Sequence, residues 1–370
     1  MKKTLVVLLI LAVAGGVFAQ ATPFGAVRMN FGVNKAIGDG TNEQTKWIFG
    51  LFNSGTKLGV KLGDGDTAGG FAQWRADSTF NAEAWVALGP VVLKVGNTER
   101  DWSQWSSLDL FGDGNWAFGA SSDLAAPFIE AAYVGDGIKV YFGLNEAGIH
   151  GAYLGSKVTD KMMEVDVDDA GYDPTDPGTW VYNKPPSNGV APFPGFYLGG
   201  DYALEGIGTF GAAFAGQYIG ETASDKGTFP LMFNLHGRVT MVEPLTIGLN
   251  LAFYMAPGNA PGFFAITAGD AASIIQGDEA MVLEALLDVS ANLDPLKVGF
   301  NVAYVMNFAD KDTKGGGGSA IKVGLNANIG VGEGFSIIPG LMYTSILKGP
   351  GGVTAKESAI AGGVTFAYSF

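Results

Sequence analysis

The stretch FPLMFNLHGRVTM, residues 229–241, decides the fold. Phe229, Leu231, Phe233, Leu235, Gly237, Val239 and Met241 fall in one phase; Met232, Asn234, His236, Arg238 and Thr240 fall in the other. A period of two with one apolar and one polar row marks a β-strand lying between a greasy and a wet medium. Typical globular strands run to about five or six residues, whereas a tilted strand needs about 9–11 to cross a bilayer. This one is long enough to cross. The same pattern returns at 245–255, where Leu245, Ile247, Leu249, Leu251, Phe253 and Met255 oppose Thr246, Gly248, Asn250, Ala252 and Tyr254. It recurs at 296–307, with Val298, Phe300 and Val302 against Gly299, Asn301 and Ala303, and at 321–330.

The connections between these runs are of two kinds. Some are tight: Gly135-Asp136-Gly137, Glu205-Gly206, Val242-Glu243-Pro244, Leu293-Asp294-Pro295 and Gly332-Glu333-Gly334. Others are long and rich in Gly, Pro or polar residues: 145–195, 217–228, 256–279, 308–319 and 346–357. Short turns alternating with long loops are the signature of a transmembrane barrel, with turns in the periplasm and loops outside. The fold class is therefore all-β, a transmembrane antiparallel β-barrel. Its candidate strands are 24–34, 46–62, 70–88, 91–97, 115–120, 127–134, 138–144, 196–204, 208–217, 229–241, 245–256, 280–292, 296–307, 319–330, 334–345 and 357–370. That makes 16, an even number that returns both termini to one side. Turns at Asn53-Ser54-Gly55 and Asp77-Ser78 would raise the count to 18; assigning 91–97 and 115–120 to a loop would lower it to 14.

Composition narrows the function classes. The chain has 370 residues, 57 of them Gly, and no Cys. That much Gly disfavours a helical enzyme, because each costs a helix about 1 kcal/mol. The lack of Cys excludes disulfides, zinc-thiolate sites, iron–sulfur clusters and a cysteine nucleophile. A formal charge of −14 argues against a nucleic-acid partner, which needs a basic face. At the N-terminus, Lys2 and Lys3 precede an apolar run from Thr4 to Ala14 and the small-residue pattern Val17-Phe18-Ala19. This reads as a secretory signal over 1–19, cleaved after Ala19, with 20–370 forming one barrel domain.

The C-terminus carries the family resemblance. Val364, Phe366, Tyr368 and Phe370 alternate to the last residue. In this feature, with the signal and the strand ladder, the chain resembles bacterial outer-membrane β-barrel proteins of the porin-like kind. The resemblance implies residence in the outer membrane of a diderm bacterium. It also implies recognition of the Val364–Phe370 strand by the outer-membrane assembly machinery, contact with outer-membrane lipid, and assembly as a homotrimer. The function it implies is a passive channel for small hydrophilic solutes or ions, with no cofactor and no enzymatic turnover. Two alternatives stand beside it: a surface-exposed structural or adhesive barrel without an open pore, and a transporter of hydrophobic solutes. The apolar content of loop 256–279 (Pro257, Phe263, Phe264, Ile274 and Ile275) keeps the second open.

A barrel of about 16 strands is too wide for side chains to fill, so its interior is expected to be polar and wet. Strand phase points Arg28, Lys57, Lys61, Arg75, Lys94, Lys139, Arg238, Lys297 and Lys322 inward, together with Asp77, Glu83, Glu130, Asp201, Glu284 and Asp288. Loop 145–195 is acidic, and two placements of it are open. In one it folds inward, so that Asp166, Asp168 and Asp169 face some of Arg28, Arg75 and Arg238 and set up a transverse field at a constriction. In the other it is a solvated loop on the cell surface. The sequence Asp166-x-Asp168-x-x-Gly171 has a faint calcium-loop look, but Ala170 and Pro177 stand where ligands belong, and no metal site is assigned. His150 and His236 are the only histidines, and no Ser accompanies His236 in its strand, so no catalytic residues are assigned.

Overall fold

In the computed structural model the described residues are 21–37, 45–51, 55–63, 66–76, 78–97, 100–101, 123–124, 128–145, 195–216, 229, 231–256, 267–268, 271–272, 280–309, 317–348 and 358–370. Alternating sequence becomes strand in nearly all of them. The wall is built from β1 (Ala21–Ile37), β2 (Thr45–Leu51), β3 (Lys57–Gly63), β4 (Ala68–Arg75), β5 (Phe80–Leu88), β6 (Val91–Gly96), β7 (Phe128–Gly135), β8 (Ile138–Asn145) and β9 (Gly195–Leu204). It continues through β10 (Gly208–Gly216), β11 (Leu231–Val239), β12 (Leu245–Ala256), β13 (Ala280–Leu293), β14 (Leu296–Asn307), β15 (Ser319–Gly332), β16 (Phe335–Lys348) and β17 (Ser358–Ser369). Each pairs antiparallel with the next, except that β2 and β3 both pair with β1, and β17 returns to pair with β1 from Ala26↔Ser369 to Ile37↔Ser358, closing the sheet.

The ring has 16 positions, because β2 and β3 are two halves of one. β2 pairs with one end of β1 (Lys35↔Thr45 to Met29↔Leu51), and β3 pairs with the other (Ala26↔Lys57 to Ala21↔Leu62). Between the halves, Thr56 replaces the missing ladder bonds. The Arg28 N–H donates to Thr56 Oγ1 at 3.2 Å, and that hydroxyl donates to the Arg28 carbonyl at 3.4 Å. In hydrocarbon an unmatched backbone group costs several kcal/mol, so the hydroxyl keeps the break tolerable.

The count of 16 stands, but two assignments behind it change. The run 70–88 is not one strand. It folds at Ser78, with Arg75 N–H donating to Thr79 O and Ser78 N–H to Arg75 O, and its halves β4 and β5 pair from Trp74↔Phe80. The segment 115–120 lies outside the described residues; β6 pairs directly with β7, Lys94↔Glu130, which leaves no wall position between those two strands. One gain and one loss cancel. The break at 52–54 adds no position, because both halves share β1.

One rim carries the turns and the other the long connections. At Asp136-Gly137 both residues have positive φ (49° and 76°) between the paired Gly135 and Ile138. This is the two-residue hairpin geometry that favours Asp-Gly. Gly25 and Phe370 exchange backbone hydrogen bonds at 2.9 and 3.0 Å, so both ends of the described chain lie together at this turn rim.

Candidate functional site: the barrel interior

The two faces of the wall differ as the alternation predicts. Trp47 (71%) and Phe49 (73%) stand exposed on the outside, joined by Phe31, Leu249, Phe300, Leu325 and Phe366. Aromatic rings collect near both rims of this face, with the Trp74 and Phe80 ring centres 4.9 Å apart and tilted by 50° at the loop rim and Tyr368 and Phe370 at the turn rim. Such girdles suit the two interfaces of a bilayer. The inward face is polar through its middle, with Asn30, Gln73, Asn81, Glu130, Asn234, His236, Asn250, Asp288, Asn301, Asn326 and Thr365 all buried from outside solvent. A buried amide needs partners, and here they run between neighbouring strands: Thr365 Oγ1 donates to Asn30 Oδ1 at 2.9 Å.

The expectation of a wholly polar interior needs correction. Near the loop rim the inward positions Met232, Ala252, Val282, Ala303, Val305 and Ala320 are apolar and 0–1% exposed, and Leu286 packs on Ala303. The pairing Val282↔Asn307 shows why phase misled here: apolar and polar residues share this inner row. The small hairpin Thr267–Ala268/Ala271–Ala272, from the connection between β12 and β13, lies against β16.

The charged residues sort into sectors. β1, β3 and β4, which are neighbours, bring Arg28, Lys57, Lys61 and Arg75 together on the inner wall. Lys57 is aligned with Arg75 and lies within electrostatic reach of Arg28 and Lys61. Like charges at this spacing repel, so the patch gains whenever an anion joins it. The Lys61 ammonium rests 5.5 Å from the Phe24 ring centre. The buried Arg75 Nε has no hydrogen-bond partner among the described residues. Beyond this patch the wall is mixed. Lys94 and Glu83 form an ion pair at 3.5 Å, and Tyr197 donates to the buried Glu130 Oε2 at 3.0 Å.

Arg28 and Arg75 are thus brought together, and Arg238 is not with them. It sits on β11, the tenth position of the ring, across the interior from β3 and β4. Asp166, Asp168 and Asp169 lie outside the described residues, as does Asp77. Sequence reasoning left Lys57 and Lys61 out of the site; the signal that could have found them is their shared phase, four residues apart on the strand next to Arg28. It also left out the pair formed by His236 and Asp201, joined at 2.7 Å. Val364, Phe366, Tyr368 and Phe370 occupy the closing strand, with Phe366, Tyr368 and Phe370 exposed on the outer face. Among the described residues no three His, Asp or Glu side chains are grouped to hold a metal ion.

No family model matches the chain, and no curated protein does. Solved structures do match. Over 95% of its length the chain is similar to an anion-selective porin from Comamonas acidovorans, with a TM-score of 0.61, 14% identity and 99% of that chain covered. It is similar to the outer membrane channel DcaP of Acinetobacter baumannii, with a TM-score of 0.59, 12% identity, and 95% and 98% of the two chains covered. It is also similar to the outer-membrane protein OmpT of Vibrio cholerae, with a TM-score of 0.57, 13% identity, and 96% and 100% covered. The likeness is one of fold: a closed 16-stranded antiparallel barrel of the kind seen in outer-membrane porins.

Proposed function

We propose that the protein is an outer-membrane channel through which small hydrophilic solutes or ions diffuse passively. The observation that carries this reading is the inward cluster of Arg28, Lys57, Lys61 and Arg75 inside a closed wall whose outer face is apolar. A barrel serving only as a surface scaffold has no use for a cluster of like charges on its inner wall. In this reading residues 1–19 are the export signal, the Val364–Phe370 strand is the assembly signal, the turn rim faces the periplasm, and the protein forms a trimer like the trimeric form of OmpT. The basic patch draws anionic solutes. Opposing charge comes from Asp166, Asp168 and Asp169 folded toward the patch, a transverse field that orders polar solutes. No step requires a cofactor or a bond broken.

The fully buried apolar row at Val282, Val305 and Ala320 favours a second reading, a barrel closed near its loop rim or one that passes hydrophobic solutes. Planar-bilayer recording separates the two. The channel reading expects discrete steady conductance, with an anion preference that falls when Arg28, Lys57 and Arg75 are neutralised together. It also expects a changed preference when the three Asp residues are neutralised. A silent barrel, or one that admits only apolar solutes in vesicle uptake, overturns it.

A further inference from the structure

A chain of buried hydrogen bonds crosses the inner wall near the turn rim. His236 Nε2 meets Asp201 Oδ1 at 2.7 Å, and His236 Nδ1 meets Asn234 Oδ1 at 2.6 Å. Asn234 Nδ2 in turn donates to Asn250 Oδ1 at 2.6 Å. His236 is 7% exposed, Asn234 and Asn250 less, while the Asp201 side chain keeps a quarter of its surface open. Asp201 and His236 are not on neighbouring strands. β10 runs between them, and both align with its Gly211. A side-chain carbon at 211 would fall on His236 Nε2 and Asp201 Oδ1, so the glycine is the window through which the pair forms.

The bonds run in whichever direction the ring tautomer sets. A carboxylate only accepts. With the Asn234 amide nitrogen turned to Asn250, both imidazole nitrogens donate, the pattern an imidazolium makes. This arrangement leaves Asn250 Nδ2 buried with no partner among the described residues. The neutral ring has its own arrangement, which leaves Asn250 Oδ1 in that unpartnered position instead. Nε2–H still donates to Asp201; Asn234 turns its amide over to donate to Nδ1; Asn250 turns over to donate to Asn234 Oδ1. Amide oxygen and nitrogen are nearly the same size, so two flips reverse the chain without moving the backbone.

We propose that the Asp201–His236 pair is a proton-dependent element that sets ion selectivity in this channel, an inference that rests on the channel reading above. When His236 loses a proton to the lumen water, the pair passes from net neutral to a net charge of −1, and Asn234 and Asn250 reverse together. The other charges around it are few. Lys139 on β8 is aligned with Asp201, and Arg238 is two residues along β11. β10 and β12 bring none to this face; on β13, one strand beyond Asn250, Asp288 is aligned with Gly248 and the buried Glu284 with Ala252. Asp201, Lys139 and Asp136 open into one cleft at the turn rim, so the pair reaches water through its carboxylate.

Two measurements test this. The first is nitrogen-edited NMR of the detergent-solubilised protein from roughly pH 4.5 to 8.5, a range spanning the charge change of histidines. The chain has only two histidines, His150 and His236. One is expected to pass from doubly protonated to the Nε2–H form, with the Asn234 and Asn250 side-chain amides shifting at the same midpoint. The second is reversal potential in a salt gradient over the same range. The cation-to-anion permeability ratio is expected to rise about twofold with pH, the effect of one charge within a Debye length of the passage. The rise should vanish in His236→Gln and in Asp201→Asn. The same rise in His236→Gln overturns the proposal, as does a His236 ring that never changes protonation. A protein that does not conduct sinks the channel reading and the selectivity role with it, and the NMR titration then reports separately on the pair.

Discussion

Phe370 lies over Gly25. Their backbones exchange two hydrogen bonds, and the Phe370 ring fills the space where a side chain at 25 would stand. The first and last strands of the ring are locked at this point, beyond the Ala26↔Ser369 register. Gly25→Val would drive a branched side chain into the ring. Overpacking of this kind costs about 1–3 kcal/mol. The expected outcome is a smaller folded fraction in urea titrations of the protein in lipid vesicles, while Phe370→Ala combined with Gly25→Val should be less impaired than Gly25→Val alone. Additive losses would show that the two residues do not meet.

Thr56 has a more local role. Its hydroxyl satisfies both the N–H and the carbonyl of Arg28 where the wall is broken. Thr56→Val keeps the shape and removes both bonds, which is expected to cost about 1–3 kcal/mol because the part-buried Arg28 N–H and carbonyl lose their partner. Thr56→Ser should retain most of the stability. Amide exchange at Arg28 is the direct readout: it should accelerate in the valine variant and remain slow in the serine variant.

The apolar outer face makes a prediction that a water-soluble sandwich would reverse. Leu249 is outward and near the middle of β12. Leu249→Arg places a charge in hydrocarbon, expected to destabilise the vesicle-inserted barrel by about 2–4 kcal/mol. Lys297→Gln, on the inner face, should change stability by no more than about 0.5 kcal/mol. Equal effects at the two positions, measured by urea unfolding from vesicles, would contradict the assignment of faces.

The period of two was legible because lipid and water act on every residue in turn; Phe300 and Asn301 could not exchange faces without each entering the wrong medium. The hairpin inside 70–88 was hidden by arithmetic. Paired residues share a face, and the Trp74↔Phe80 pairing joins two even-numbered positions, so the phase runs through the turn unbroken. Only the turn chemistry near Ser78 marks it. Phase also says that a residue points inward but not from which sector. Arg28 and Arg75 are near because one strand position lies between theirs, and Arg238 is far because six further strands, β5 to β10, intervene between β4 and β11. The joining of Asp201 to His236 required the register of three strands and the window at Gly211. The buried apolar inner row was illegible for a related reason: phase separates two faces and says nothing of what lies against them.

The basic cluster gives the most discriminating prediction about transport. Arg75 carries a buried Nε without a partner among the described residues and stands beside Lys57, so it meets a passing anion with little competition from its own surroundings. Arg75→Gln removes one positive charge and preserves much of the side-chain length. The anion-to-cation permeability ratio is expected to fall about twofold in 0.1 M salt, where the Debye length is about 10 Å. In 1 M salt, where it is about 3 Å, the difference between variant and parent should nearly vanish. Arg75→Lys keeps the charge and should keep the ratio, although the planar fork that grips carboxylates and phosphates is lost. A carboxylate or phosphate solute should therefore distinguish the lysine variant from the parent where chloride does not. A fall that persists undiminished in 1 M salt would mean that the substitution narrows or reshapes the passage instead of altering its field.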